Sequence, residues 1–261
     1  MEHELTLDTR TPRRVLVIAA HQDDIEFGCA GSVALWKDAG AEVVYCVITD
    51  GAAGSNDPAL QGEELIETRE REQRAAAAEL GVTDVRFLGY ADGTLQPTME
   101  LRRDLTRIIR EVRPDRVVAQ DPSNIFPRNT YINHPDHRAA GEAAVYATFP
   151  SAGTRPIFPE LLDEGYEPHN VIDVFLNLTN AADTAVDITP VMDRKFAALL
   201  HHKSQLGEEV AEWIREMNEE MGARAGVKYA EVYRVIKLGE DEVMEAQEAD
   251  GAASADAPAG D

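Results

Sequence analysis

Val15 to Ala20 is an unbroken apolar run, and His21-Gln22-Asp23-Asp24 follows it directly. Six apolar residues without alternation are expected of a strand covered on both faces. Gly28 to Ala39 then has helical character and ends at Gly40, and Glu42 to Thr49 reads as a second strand. Asp50 to Asp57 is a turn-rich loop. Glu63 to Leu80, rich in Ala, Glu and Arg and closed by Gly81, predicts a long helix. Asp84 to Leu88 predicts a short strand, Leu101 to Val112 a helix stopped before Pro114, and Arg116 to Ala119 another strand. Pro135 opens a helix running to about Ala147. Beyond Pro150 the pattern blurs. Asn170 to Leu178 and Ala185 to Ile188 suggest strands, Pro190 to Ser204 and Glu208 to Met221 helices, and Tyr229 to Leu238 a closing strand.

Strand-loop-helix order of this kind predicts an α/β protein: a single Rossmann-like domain whose mostly parallel sheet is flanked by helices. Ligands of such sheets bind outside the carboxyl ends of the strands. His21, Asp23, Asp24, the Asp50 loop and Asp121 all fall at such ends. The expected organisation is an N-terminal extension over residues 1–12, the domain over 13–238, and a tail over 239–261. Residues 240–261 hold eight acidic and no basic residues, a composition expected to stay disordered.

Charge narrows the function. The net charge is −23, from 48 acidic and 25 basic residues. A surface so acidic argues against nucleic acid and anionic membrane as partners, since both bind basic patches. Only five of the basic residues are Lys. That balance fits a high-salt cytoplasm, and equally an Arg- and Ala-rich genome. No apolar stretch reaches the ~18–20 residues a membrane span requires, and residues 1–14 hold no apolar signal core. Cys29 and Cys46 are far apart, which disfavours a disulfide framework or a thiolate zinc site and suggests small buried residues. A cytoplasmic location is the expectation.

The chemistry lies in two clusters, His21-Gln22-Asp23-Asp24 and His134-Pro135-Asp136-His137. In a tight turn after a strand, His21 and Asp24 can face one point with Asp23 beside it. Imidazole nitrogen and carboxylate oxygen together suit zinc. His134 and His137 are spaced i, i+3 at a helix start, so one of them can complete a His2Asp site while the other stays free for chemistry. Three protein ligands leave a position for water. Asp23, beside the metal rather than on it, is the candidate to take that water's proton, and Asp136 to orient a histidine.

With these residues in place, the chain resembles the LmbE/PIG-L family of zinc-dependent N-deacetylases. The family's Ala-His-Pro-Asp-Asp motif stands here as Ala20-His21-Gln22-Asp23-Asp24, and its His-Pro-Asp-His motif is intact at 134–137. Arg69 and Glu72 before Ala75 to Val82, the Lys195 to Gln205 segment with His202, and Tyr229-Ala230-Glu231 resemble further family features, so the likeness runs from about residue 13 to 238. The resemblance implies His21, Asp24 and His137 as zinc ligands, with Fe2+ able to take the same set. It implies Asp23 as general base, and His134, oriented by Asp136, as the group that stabilises the oxyanion or protonates the leaving amine. Arg69 and Asp92 are implied as contacts to substrate hydroxyls. The implied substrate is a small N-acetylglucosamine-type amino sugar, and a homo-oligomer is compatible with the family. Gln22 departs from the family's proline; it either loosens the turn or reaches the substrate.

Plainer readings compete at several positions. The charges of the 63–80 helix, Arg69 included, can form an exposed salt-bridged face. Asp92-Gly93 can be only a turn, and His201 and His202 fit packing or hydrogen bonding better than metal ligation. Gly28 to Gly31 does not meet the dinucleotide fingerprint. Two other functions remain open: an amidase on a thiol-sugar conjugate using the same site, and a non-catalytic nucleotide- or metal-binding protein.

Overall fold

Eight strands form one sheet in the order β1-β7-β8-β6-β5-β2-β3-β4. The structure, a computed structural model, describes residues 5–127 and 131–239; the acidic 240–261 segment lies outside them. The strands are β1 Thr6–Leu7, β2 Arg14–Ala19, β3 Glu42–Thr49, β4 Asp84–Tyr90, β5 Arg116–Gln120, β6 Asp173–Asn177, β7 Thr184–Asp187 and β8 Ala230–Lys237. From β4 to β6 every pairing is parallel, as the continuous apolar runs required. β8 is inserted antiparallel between β6 and β7.

The helices are α1 Asp24–Gly28, α2 Ala30–Asp38, α3 Glu63–Glu79, α4 Met99–Val112, α5 Pro135–Tyr146, α6 Glu160–Asp163, α7 Met192–Leu199 and α8 Glu208–Ala225. The two faces of β2 show how they are sorted. Val15, Val17 and Ala19 pack into one core with Val33 of α2, Ala76 of α3 and Phe196 of α7. Leu16, Ile18 and Ala20 pack into the other with Leu105 of α4 and Ala140 of α5. Strand period two thus divides one apolar run between two helical layers. No helix among the described residues is long and apolar enough to cross a membrane.

Chain order across the sheet places the site. From β2 the chain steps outward to β3 and β4, then returns to the other side of β2 as β5. Their carboxyl ends therefore open on a point where the winding reverses, the usual ligand crevice of such sheets. α5 lies tight against β5. A methyl group at Gly141 would overlap the Gln120 carbonyl, so only glycine lets the helix that carries His137 approach this closely.

Several elements depart from the sequence expectation. The helix expected over Gly28–Ala39 is α2, and a separate short helix, α1, precedes it, set off at Cys29 (φ −153°); α7 is shorter than Pro190–Ser204, with a 3₁₀ turn over residues 189–191 before it and its end at Leu199. β4 runs on to Tyr90. Residues 6–7 pair with β7 as a parallel edge strand. Behind that edge Arg116 is fully buried: it grips Asp173 through two bonds of 2.8 and 2.9 Å, lies 3.0 Å from Asp8, and stacks 3.7 Å over the Phe175 ring.

Candidate metal centre

The turn after β2 is built around an unusual backbone. The Ala20 carbonyl accepts from the Thr49 backbone and hydroxyl, tying the ends of β2 and β3. Three residues later Asp23 takes φ 100° and ψ −29°, a left-handed conformation that a non-glycine residue adopts only when its surroundings impose it. That twist lets its carbonyl accept from Glu26 and Phe27 and start α1, with Asp24 as first residue. Gln22 is fully buried and donates to the Thr49 carbonyl at 3.1 Å. It therefore braces the turn and does not reach substrate. A side chain at Gly51, which sits at φ +70°, would run into it.

His21, Asp24 and His137 converge, with one ligand atom from each inside a 4.8 Å spread. His137 Nε2 lies 3.0 Å from Asp24 Oδ1, and His21 Nδ1 3.4 Å from Asp24 Oδ2. The rings of His21 and His137 are 5.1 Å apart. A second set, His21, His134 and Asp136, is equally compact. There, however, Asp136 already accepts from the Gly93 and Leu95 backbone at 2.7 and 3.1 Å, and His134 Nδ1 accepts from the Asp136 backbone. In the first set the His21 backbone N–H engages Asp24 Oδ2 at 2.7 Å, while Asp24 Oδ1 and His137 Nε2 face each other and are left for an ion.

Asn133 shows this most clearly. Its Oδ1 lies 3.0 Å from His137 Nδ1, and its amide donates to the Asn124 carbonyl at 2.8 Å. With the amide nitrogen so engaged, Oδ1 can only accept, which puts the proton on His137 Nδ1 and leaves the Nε2 lone pair for an ion. Nothing in the sequence marked Asn133, although it directly precedes the second motif. Asn133→Ala is expected to weaken metal binding by about 10–100-fold, read by competition with a chelator of known affinity.

The electrostatics favour a cation. Burial opposes a charge on His21, yet the carboxylates of Asp136, Asp24 and Asp92 outweigh it and push the imidazole up to about 12. Asp92 Oδ1 is 3.0 Å from His21 Nε2. The field that would hold a proton there would equally hold a divalent ion, and nitrogen with carboxylate donors is a set suited to zinc or ferrous iron. Burial disfavours the Asp24 charge, but His137 and His21 hold its carboxyl well below the ordinary range. Asp23 behaves oppositely. Burial and the neighbouring Asp24 push its carboxyl up to about 6, against the pull of Arg69, His202 and His21. Burial and the His21 charge lower His134.

The remaining expected residues divide. His134 is partly exposed at the crevice, its ring 4.7 Å from that of His21. The Asp136 carboxylate is 4.0 Å from His134 Nδ1, and the contact that orients the ring is the Asp136 backbone N–H at 3.2 Å. Arg69 is buried, so it belongs to no exposed salt-bridged face. Its guanidinium donates to the Gln22 and Gly51 carbonyls at 2.7 and 3.0 Å and lies 3.5 Å from Asp23. The Asp92 side chain is likewise buried, between His21 and the Ala53 backbone N–H. His202 is buried and hydrogen-bonded to Glu26, and both cysteines are buried and free.

A family model described as GlcNAc-PI de-N-acetylase, PIG-L, matches residues 16–148, just over half of the chain and both histidine-aspartate clusters. The chain belongs to the PIG-L family. One relative, the diacetylchitobiose deacetylase of Thermococcus kodakarensis, is 34% identical over 232 residues, covering 86% of this chain and 83% of the relative. A probable N-acetyl-alpha-D-glucosaminyl L-malate deacetylase 2 of Bacillus anthracis is 29% identical over 217 residues, 80% of this chain and 89% of the relative. Among solved structures, the N,N'-diacetylchitobiose deacetylase of Pyrococcus horikoshii superposes with a TM-score of 0.80 at 34% identity, covering 87% of this chain and 84% of that one.

Proposed function

We propose that this PIG-L protein is a metal-dependent hydrolase that removes the acetyl group from the amine of an N-acetylglucosamine-type sugar. The observation that carries the reading is the convergence of His21, Asp24 and His137, with the His134 ring beside His21 and the Asp23 carboxyl feeling the charge of Asp24 and His21. Relatives named for chitobiose and for a glucosaminyl malate share the acetamidosugar and differ in what is attached to it. The acetamide is therefore the part of the substrate we assign to the shared site.

Zinc, or ferrous iron, held by His21, Asp24 and His137 would acidify a water and polarise the amide carbonyl. Asp23 takes the proton of the attacking water. A carboxyl shifted toward the working pH suits a group that must accept a proton and then give it up to the leaving amine. His134 accepts the Asp136 backbone N–H at Nδ1, so its Nε2 carries a proton and donates toward the carbonyl oxygen as charge builds there. Asp92 holds His21 from behind, and Arg69 holds the turn that presents Asp23. A nucleotide-binding role is disfavoured by the same residues: carboxylates at the start of α1 repel phosphate where that fold would bind it.

The test is metal content together with acetate release from N-acetylglucosamine and N,N'-diacetylchitobiose. About one divalent metal per chain and acetate release that a chelator abolishes are expected. Metal without acetate release from either sugar would favour an amidase acting on a thiol-sugar conjugate. Absence of metal would defeat the proposal.

A further inference from the structure

Behind the metal centre runs a buried polar chain that the catalytic residues do not account for. Glu26 and Gln73 are fully buried and His202 is 1% exposed. His202 Nε2 lies 2.9 Å from Glu26 Oε2. Gln73 Nε2 lies 3.1 and 3.2 Å from the two Glu26 oxygens. Gln73 Oε1 accepts the backbone N–H of Asp23 at 3.1 Å. The three side chains come from α1, α3 and the turn after α7, and Glu72 secures that turn to α3 through the Ser204 backbone and hydroxyl at 2.9 and 2.6 Å.

Each link has a forced direction. A carboxylate can only accept, so His202 and the Gln73 amide nitrogen must both donate to Glu26. The Gln73 oxygen is thereby turned toward Asp23, whose N–H it accepts. That N–H belongs to the residue with φ 100°, a strained conformation that persists only where its surroundings hold it. An apolar filling of the same volume would occupy the space without fixing the turn.

We propose that Gln73, with its amide oriented by Glu26 and His202, is a positioning residue that sets Asp23 for proton transfer. The proposal rests on the reading of Asp23 as the base. Neither Gln73 nor Glu26 touches substrate; both act through the backbone of Asp23.

The test compares Gln73→Met, Gln73→Glu, the exchange Gln73→Glu with Glu26→Gln, and Asp23→Asn, measuring kcat and KM for acetate release, metal content and Tm. Gln73→Met removes the acceptor and is expected to lower kcat about 10–100-fold with KM and metal content near wild type. Gln73→Glu sets two buried carboxyls against each other, which can bridge only by taking up a proton that the wild type does not need, and is expected to be impaired as well. The exchange restores the donor order. The amide at position 26 accepts from His202 and donates to the carboxylate at position 73, which accepts the Asp23 N–H. Most of the lost kcat should return. Filling of space alone would leave Gln73→Met at wild-type kcat and give the exchange no advantage over Gln73→Glu; either result overturns the proposal. Full turnover in Asp23→Asn would instead overturn the assignment of the base, whatever the Gln73 variants do. Loss in Asp23→Asn beside wild-type kcat in Gln73→Met would overturn the positioning chain alone.

Discussion

Asp23→Asn is expected to lower kcat for acetate release by about 100- to 10,000-fold, the usual contribution of a positioned general base, with metal content and KM close to wild type. The amide fills the same volume and leaves Arg69 its two backbone carbonyls, but it cannot take a proton from water. In the wild type, the acid limb of kcat/KM should fall at or below about 6: burial and Asp24 push the Asp23 carboxyl up to about 6, and a divalent ion on the adjacent ligands draws it back down. The same substitution should leave a stability signature in the chelated protein. A carboxyl raised in the fold from 3.8 to about 6 binds its proton more tightly folded than unfolded, so its ionisation costs stability as pH rises through that window. Asparagine carries no such cost. The variant and the wild type should therefore melt alike below pH 3.8, separate between 3.8 and about 6, and differ fully above, with the variant the more stable. Turnover lost while Tm rises is a pairing that a merely structural role for Asp23 would not produce.

What the sequence disclosed was the chemistry that lies contiguous along it. His21 to Asp24 and His134 to His137 each pack their donors into four residues beside a strand end or helix start. β2 and β3 were legible because continuous apolar runs have few alternatives to a doubly covered strand. The supporting residues were not legible, because each owes its role to a partner far away in sequence. Gln73 is 47 residues from Glu26, and His202 is 176 from it. In a helix as rich in Glu and Arg as α3, the local pattern does not distinguish the buried Arg69 and Gln73 from their exposed neighbours, and only the family resemblance marked Arg69. The start of α2 at Ala30, two residues after the expected Gly28, was hidden for the same reason. Glu231, about 200 residues on, accepts from the Gly31 and Ser32 backbone and so caps α2. Two-residue β1 has no pattern to read; its place comes from the β7 edge.

That distant carboxylate carries the second large effect. Lys195 and Glu231 form a buried pair at 2.6 Å, and the Lys195 ammonium also donates to the Phe27 carbonyl at the end of α1. Glu231 further accepts from the Ser32 hydroxyl at 2.6 Å and the Tyr233 hydroxyl at 3.1 Å. Lys195→Met retains most of the packing volume and leaves this carboxylate without a counter-charge in the core. Breaking such a pair costs about 3–5 kcal/mol, which in a domain of this size lowers Tm by roughly 6–20 °C. Glu231→Gln alone should also destabilise, by stranding the ammonium and weakening the cap on α2. The double variant should lose less than the two single losses added together, because the second substitution removes the charge that the first left unpaired. Melting curves of the four proteins at neutral pH test this, and strict additivity would refute the coupling. Per metal-loaded molecule, kcat should stay within a few-fold of wild type, since the pair anchors α1 and α2 from behind and makes no contact with His21, Asp23 or His137. A proportionate fall in kcat would mean that the anchor also sets the geometry of the turn, placing Lys195 in the same functional unit as Gln73.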